Sequence, residues 1–115
     1  MVAREYVPDA GDLIWLDFTP QAGREQAGRR PAVVLSPQSY NEKTSLAVVC
    51  PVTSHAKGYP FEVPVPPGLR IGGVILSDHL KNLDWRQRQA QKIGKLPRAI
   101  LEQIRRRIAA LLQIT

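Results

Sequence analysis

A mainly β fold, a small and strongly bent barrel capped by a C-terminal amphipathic helix, is predicted by three features of this chain. Two near-continuous apolar runs, Ala32 to Ser36 and Ser45 to Val52, read as central strands. Shorter β-prone segments surround them, punctuated by turn signals such as Pro67-Gly68. From Pro97 the period changes, and Ile100, Leu101, Ile104, Ile108, Leu111 and Leu112 fall on one helical face. Many short strands followed by one such helix suit a bent sheet that the helix closes.

Taken in order, Leu13 to Phe18 is expected as a short, aromatic-flanked strand. Thr19 to Arg30 is polar and contains glycine, a long loop for so small a domain, and loops of that size are usually functional or mobile. Between the two central strands, Pro37 to Thr44 is expected to form a turn or one short helical turn around Tyr40-Asn41. Tyr59 to Val65 alternates as a strand, with Pro64 and Pro66 placing its end at a sheet edge. Gly73 to Leu83 reads as one further strand, with Ile75, Ser77 and His79 on one side and Leu76, Asp78 and Leu80 on the other. Arg88 to Ile93 supplies a last strand, and Pro97 suits the first turn of the helix.

The 115 residues allow one domain with a single modest core. A net charge of +6 and a sequence pI near 10.0 point to an anionic partner. Arginine outnumbers lysine, which favours specific phosphate contacts over loose solubilising charge. Cys50 is the only cysteine, lies inside an apolar run and reads as an inert core residue in a reducing cytoplasm. The N-terminus lacks the apolar stretch of a signal peptide, and no run is long enough to span a bilayer, so a cytoplasmic protein without a membrane partner is expected.

Metal chemistry is poorly supported: His55 and His79 stand apart, and neither HExxH nor paired-cysteine spacing occurs. A hydrolase assembled from Ser77, Asp78 and His79 fails because neighbours on one strand face opposite ways. The informative stretch is Glu25-Gln26-Ala27-Gly28-Arg29-Arg30-Pro31, which leads directly into the strand at Ala32. Arginines at the foot of a strand beside a carboxylate make a phosphate site, because guanidinium presents a rigid, permanently charged fork. Thr53-Ser54 ends the next apolar run, so two strands lying side by side would turn Arg30 and Thr53 toward one ligand.

These words in this order resemble the MazF/PemK (Kid) family of toxin endoribonucleases. The resemblance spans nearly the whole chain: Gly11-Asp12-Leu13-Ile14-Trp15, then Arg30-Pro31 through Ser36-Pro37, Pro51-Val52-Thr53, and Lys57-Gly58-Tyr59-Pro60-Phe61-Glu62-Val63. It implies an SH3-like (PemK/CcdB-type) barrel that forms a homodimer, and metal-independent, sequence-specific cleavage of single-stranded RNA with no cofactor. It also implies a type II toxin, acting on mRNA to block translation and growth, held by a MazE-like antitoxin with an acidic disordered tail. Arg30 and Thr53 occupy the positions of the catalytic pair. The alternative on the same barrel is a non-enzymatic binder such as a CcdB-like gyrase inhibitor, for which this chain lacks the aromatic-containing C-terminal tail, ending in Gln113-Ile114-Thr115.

On chemical grounds the roles narrow. Arginine almost never releases its proton, so Arg30 is expected to clamp the phosphate, and Thr53 to donate a hydroxyl hydrogen bond to it. Glu25 is the candidate base, against a reading as surface partner of Arg24 or Arg29. Gln26, Arg29, Ser54, Lys57, Asp78 and His79 are expected to bind substrate, with His79 also a candidate general acid, against a plain polar or structural histidine; His55 could touch substrate, although a loop histidine is more often simply exposed. Phe18, rather than Trp15 or Trp85, is expected to offer a ring on which a base stacks. Arg105, Arg106 and Arg107 read as a solvated helix face.

Overall fold

The apolar run after Ser45 forms the longest strand of a computed structural model that describes residues 5–19, 23 and 27–114. The elements are β1 (Asp12–Asp17), β2 (Arg29–Val34), α1 (Gln38–Thr44), β3 (Leu46–Thr53), β4 (Glu62–Pro64), β5 (Val74–Leu76), β6 (Lys81–Asp84), β7 (Gln91–Lys95) and α2 (Arg98–Leu112). The sheet is antiparallel in the order β4-β5-β3-β2-β1-β7, with β6 also on β3. The mainly β, helix-capped expectation holds, although β4 and β7 end the path unpaired with one another among the described residues, so the barrel is open.

One edge of β3 serves two partners in turn: Leu46 to Val49 pair with β6, and Val52 and Thr53 with β5. Pro51 lies at the changeover, where the missing N–H costs no ladder bond on that edge. The sheet is buried on both faces, which explains why β2 and β3 read as continuous apolar runs rather than as alternation. Leu13, Val33, Cys50, Val52, Val63 and Ile75 pack on one face against Leu96 and Ile104. Ile14, Leu16, Phe18, Ala32, Val34, Ala47 and Val49 pack on the other with Trp85, covered by Tyr6 and Val7.

Three expectations are corrected. Residues 37–44 contain a two-turn helix rather than a single turn, ended by Ser45 in the left-handed region at φ 64°. Asn41 is fully buried there and holds it in place: its Nδ2 donates to Pro8 O (2.8 Å) and Ser36 O (3.0 Å), and its Oδ1 accepts the Ser36 hydroxyl (2.6 Å). The expected strand at 73–83 is two strands, because Ser77 turns inward and gives both N–H (3.2 Å) and Oγ–H (2.5 Å) to Phe61 O. The last strand begins at Gln91, not Arg88, which sits in the turn after β6.

The helix from Pro97 is as expected at its start, with Leu101 and Ile104 buried. Its final turn is not covered: Leu111 is 41% exposed, Leu112 50% and Ile114 beyond it 64%. No helix of the described residues is long and apolar enough to cross a membrane.

Candidate active site

Thr53 ends β3 nearly buried, and its Oγ1 accepts the His55 N–H at 3.2 Å. Such a short side-chain turn directs the backbone out of the sheet. The segment beyond it and the β5–β6 turn wall a cavity of ≈520 Å³. That turn is set by Ser77 and by His79 N–H donating to Leu76 O at 3.0 Å, which leaves Asp78 exposed and His79 half-buried. Of the expected site residues, Thr53, Lys57, Asp78 and His79 all line this cavity, and His55 does too. Tyr59 and Glu62 line it and were not foreseen, because Tyr59 to Val65 read as one strand. Only Glu62 to Pro64 is strand; the exposed Lys57-Gly58-Tyr59-Pro60 turn was the available signal.

Arg30 is half-buried in β2, its Nε donating to Ala27 O at 2.9 Å. The β2–β3 register runs Val34↔Val49, Val33↔Cys50, Ala32↔Pro51. The ladder ends at that last pair, with Arg30 two residues before it on β2 and Thr53 two residues beyond it on β3. The arginine does not itself line the cavity.

Arg29 departs from its expected role. It precedes Arg30 on the strand and so faces the other way, and its Nη2 donates to Gln89 O (2.8 Å) and Gln91 Oε1 (3.3 Å). Here it ties β2 to the β6–β7 turn rather than lining the cavity. Phe18 is corrected outright: it is 2% exposed and fills the second core, so its ring faces are already covered. Trp85 is likewise core, with Arg86 stacked 4.2 Å from the ring centre. Tyr59, 61% exposed, is an aromatic that does line the cavity. Ser54 is exposed and does not line the cavity. Glu25 and Gln26 lie outside the described residues.

The chain on either side of that segment is tied down. Phe18 N–H donates to Gly28 O at 2.9 Å, and Arg88 Nη1 donates to Asp17 O (2.9 Å) and Thr19 O (3.0 Å). The Asp17 carboxylate accepts both the hydroxyl and the N–H of Thr19, which hold its pKa below the ordinary range. Cys50 is no nucleophile. Burial first, and the Asp78 charge second, push its thiol up to about 12. Of the helix arginines, Arg105 pairs with Glu102 at 3.0 Å and Arg107 bonds Pro60 O, so the solvated-face reading holds only in part.

The sequence profile of the PemK-like, MazF-like toxins of type II toxin–antitoxin systems matches residues 9–112. The chain is 52% identical to the endoribonuclease toxin MazF of Escherichia coli K12 over 112 residues, covering 97% of this chain and 99% of that protein. It is 30% identical to the endoribonuclease PemK of Escherichia coli, over 97% of this chain and 87% of that one. The crystal structure of MazF from Deinococcus radiodurans superposes with a TM-score of 0.93 at 56% identity, covering 95% of this chain and 99% of that one. A MazE–MazF crystal structure from the same organism gives 0.86 at 50% identity, over 96% and 100%. A fold shared at this level, and a profile match that takes in both β2 and the end of β3, place the chain among the PemK-like, MazF-like toxins of type II toxin–antitoxin systems.

Proposed function

We propose that the chain is an endoribonuclease toxin that cuts single-stranded RNA, mRNA above all, in a sequence-specific way and thereby stops translation and growth. The observation that carries this reading is Thr53 lining one cavity with Lys57, Asp78 and His79, while Arg30 stands on the neighbouring strand β2. RNA brings its own nucleophile. The 2′-oxygen attacks the adjacent phosphorus, the bond to the 5′-oxygen breaks, and 2′,3′-cyclic phosphate and 5′-OH ends result. A protein need only align these atoms, take one proton, return one and neutralise the phosphorane, for which no metal is required.

Arg30 clamps the non-bridging oxygens and Thr53 donates its hydroxyl to one of them. The reading requires both side chains, on neighbouring strands, to reach one phosphate. Glu25 takes the 2′-OH proton and His79 protonates the leaving 5′-oxygen. Lys57 adds positive charge, Tyr59 offers a stacking face, and Asp78 and His55 present polar edges to bases.

Two partners follow. The net charge of +6 suits a MazE-like antitoxin whose acidic disordered tail lies along the groove; the Deinococcus relatives are solved as MazE–MazF complexes. The exposed Ile114 lines an apolar cleft of ≈350 Å³ together with Leu35, Val48, Leu80 and Ile108, and this surface supports a homodimer.

Purified protein incubated with long single-stranded RNA in EDTA should give discrete fragments with 5′-OH ends. A 2′-deoxy substitution at the cleaved nucleotide should abolish cutting while binding persists. Intact RNA after incubation with several unrelated sequences would overturn the proposal, and a CcdB-like binder would cut neither substrate.

A further inference from the structure

Residues 54–61 border the cavity almost without regular structure, and all but Phe61 are exposed. Such a segment stays ordered only if specific bonds hold it. The Glu62 carboxylate supplies them, although it lines a cavity read here as a polyanion site, where a negative charge is unfavourable. Its oxygens accept the N–H of Lys57 at 3.2 and 3.0 Å and of Gly58 at 3.0 Å. Glu62 N–H also donates to Tyr59 O at 3.1 Å, closing the loop on itself. On the outer side Arg107, from α2, donates from Nη1 to Pro60 O.

We infer that Glu62 is a positioning residue for RNA binding, acting through the backbone of Lys57 and Gly58, with Arg107 as the outer brace of the same loop. This rests on the proposed RNA site and deepens it. Neither residue touches the reacting atoms. Glu62 holds His55, Lys57 and Tyr59 in one arrangement before RNA arrives, so the ordering cost falls on folding and not on binding. A carboxylate held by three N–H contacts, two of them to one amide, is a stronger staple than a neutral side chain would be. Arg107 links α2 to the cavity wall, and its Nε is buried without a partner among the described residues.

Two measurements test this on the full-length protein: trypsin cleavage after Lys57 without RNA, and steady-state cleavage of a short single-stranded RNA. The Lys57–Gly58 peptide is the bond whose amide Glu62 holds, and a protease needs it extended. Glu62→Ala should be cut there about tenfold faster than the parent, as expected when a charged staple is lost. Its KM should rise about tenfold with kcat within about twofold, the pattern of lost ground-state binding. Glu62→Gln, which keeps one accepting oxygen, should fall between. Arg107→Ala should show the same pattern and Arg107→Lys should restore the parent, which keeps the test decisive if Glu62→Ala does not fold. Unchanged trypsin cleavage overturns the staple. Faster cleavage with unchanged KM overturns the positioning role, and lost kcat with unchanged KM makes Glu62 a reactant instead. A parent that cuts no RNA overturns the enzymatic reading, while the trypsin result still decides the staple.

Discussion

Gly73 lies against the carbonyl of Thr53 so closely that a Cβ on it would stand 2.3 Å from that oxygen. Its φ of +115° is also one that side-chain-bearing residues rarely adopt. The close approach lets β5 pair with the end of β3 through Val74 and Thr53. Gly73→Ala is therefore expected to destabilise the fold by about 1–3 kcal/mol. Cleavage should fall further than the unfolded fraction accounts for, because the displaced atoms belong to Thr53. Thermal unfolding and activity of the same sample check both.

Thr53→Ala should lower kcat roughly 100-fold, the usual effect of removing one donor to a developing oxyanion. Thr53→Ser keeps the hydroxyl and should stay within about tenfold of the parent. Arg30→Ala should lose at least as much, and the fold should survive since Arg30 is only half-buried. Glu25→Gln separates base from bystander: a small change in kcat would leave Glu25 a surface ion-pair partner. Initial rates on a defined RNA, with circular dichroism of each variant, provide the comparison.

Asn41→Ala should cost about 2–3 kcal/mol, because Pro8 O loses its 2.8 Å donor and the buried Ser36 hydroxyl its acceptor. The residue does not line the cavity, so kcat of the folded fraction should not move. Urea titration reads the first effect, and rates well below the unfolding midpoint read the second.

Stability should fall at high pH. The Cys50 thiol rises from its ordinary 9.0 to about 12, through burial and then the Asp78 charge. The Tyr6 hydroxyl is also raised, by burial first and then by its 2.5 Å bond to the Asp12 carboxylate. Both groups keep, in the folded state, a proton that the unfolded chain gives up earlier. Stability is thus complete below about pH 9 and declines as pH climbs toward 12. Cys50→Ala and Tyr6→Phe should each flatten the slope of the unfolding midpoint across that window.

How far the sequence reaches can be judged at individual residues. The existence of β2 and β3, though not the start of β2 at Arg29, and the helix after Pro97 were legible because burial on both faces, or on one helical stripe, leaves its mark on the chain. The family was legible too, in words such as Arg30-Pro31 and Pro51-Val52-Thr53, which stay local whatever surrounds them. Periodicity cannot reveal where a regular pattern is interrupted. Residues 73–83 read as one strand, and the break comes from Ser77 bonding Phe61 O, sixteen positions away in sequence.

By itself, then, the sequence determined a basic, mainly β domain with a closing helix and the toxin family to which it belongs. Tertiary structure alone decided which neighbours share a purpose. Arg29 and Arg30 are alike in composition, yet strand alternation sends one to Gln89 O and the other to Ala27 O. It buried Phe18, exposed Tyr59 and brought Glu62 to the cavity wall. The physical reason is that a side chain's environment is set by partners distant in sequence, and no local pattern records which of them will arrive.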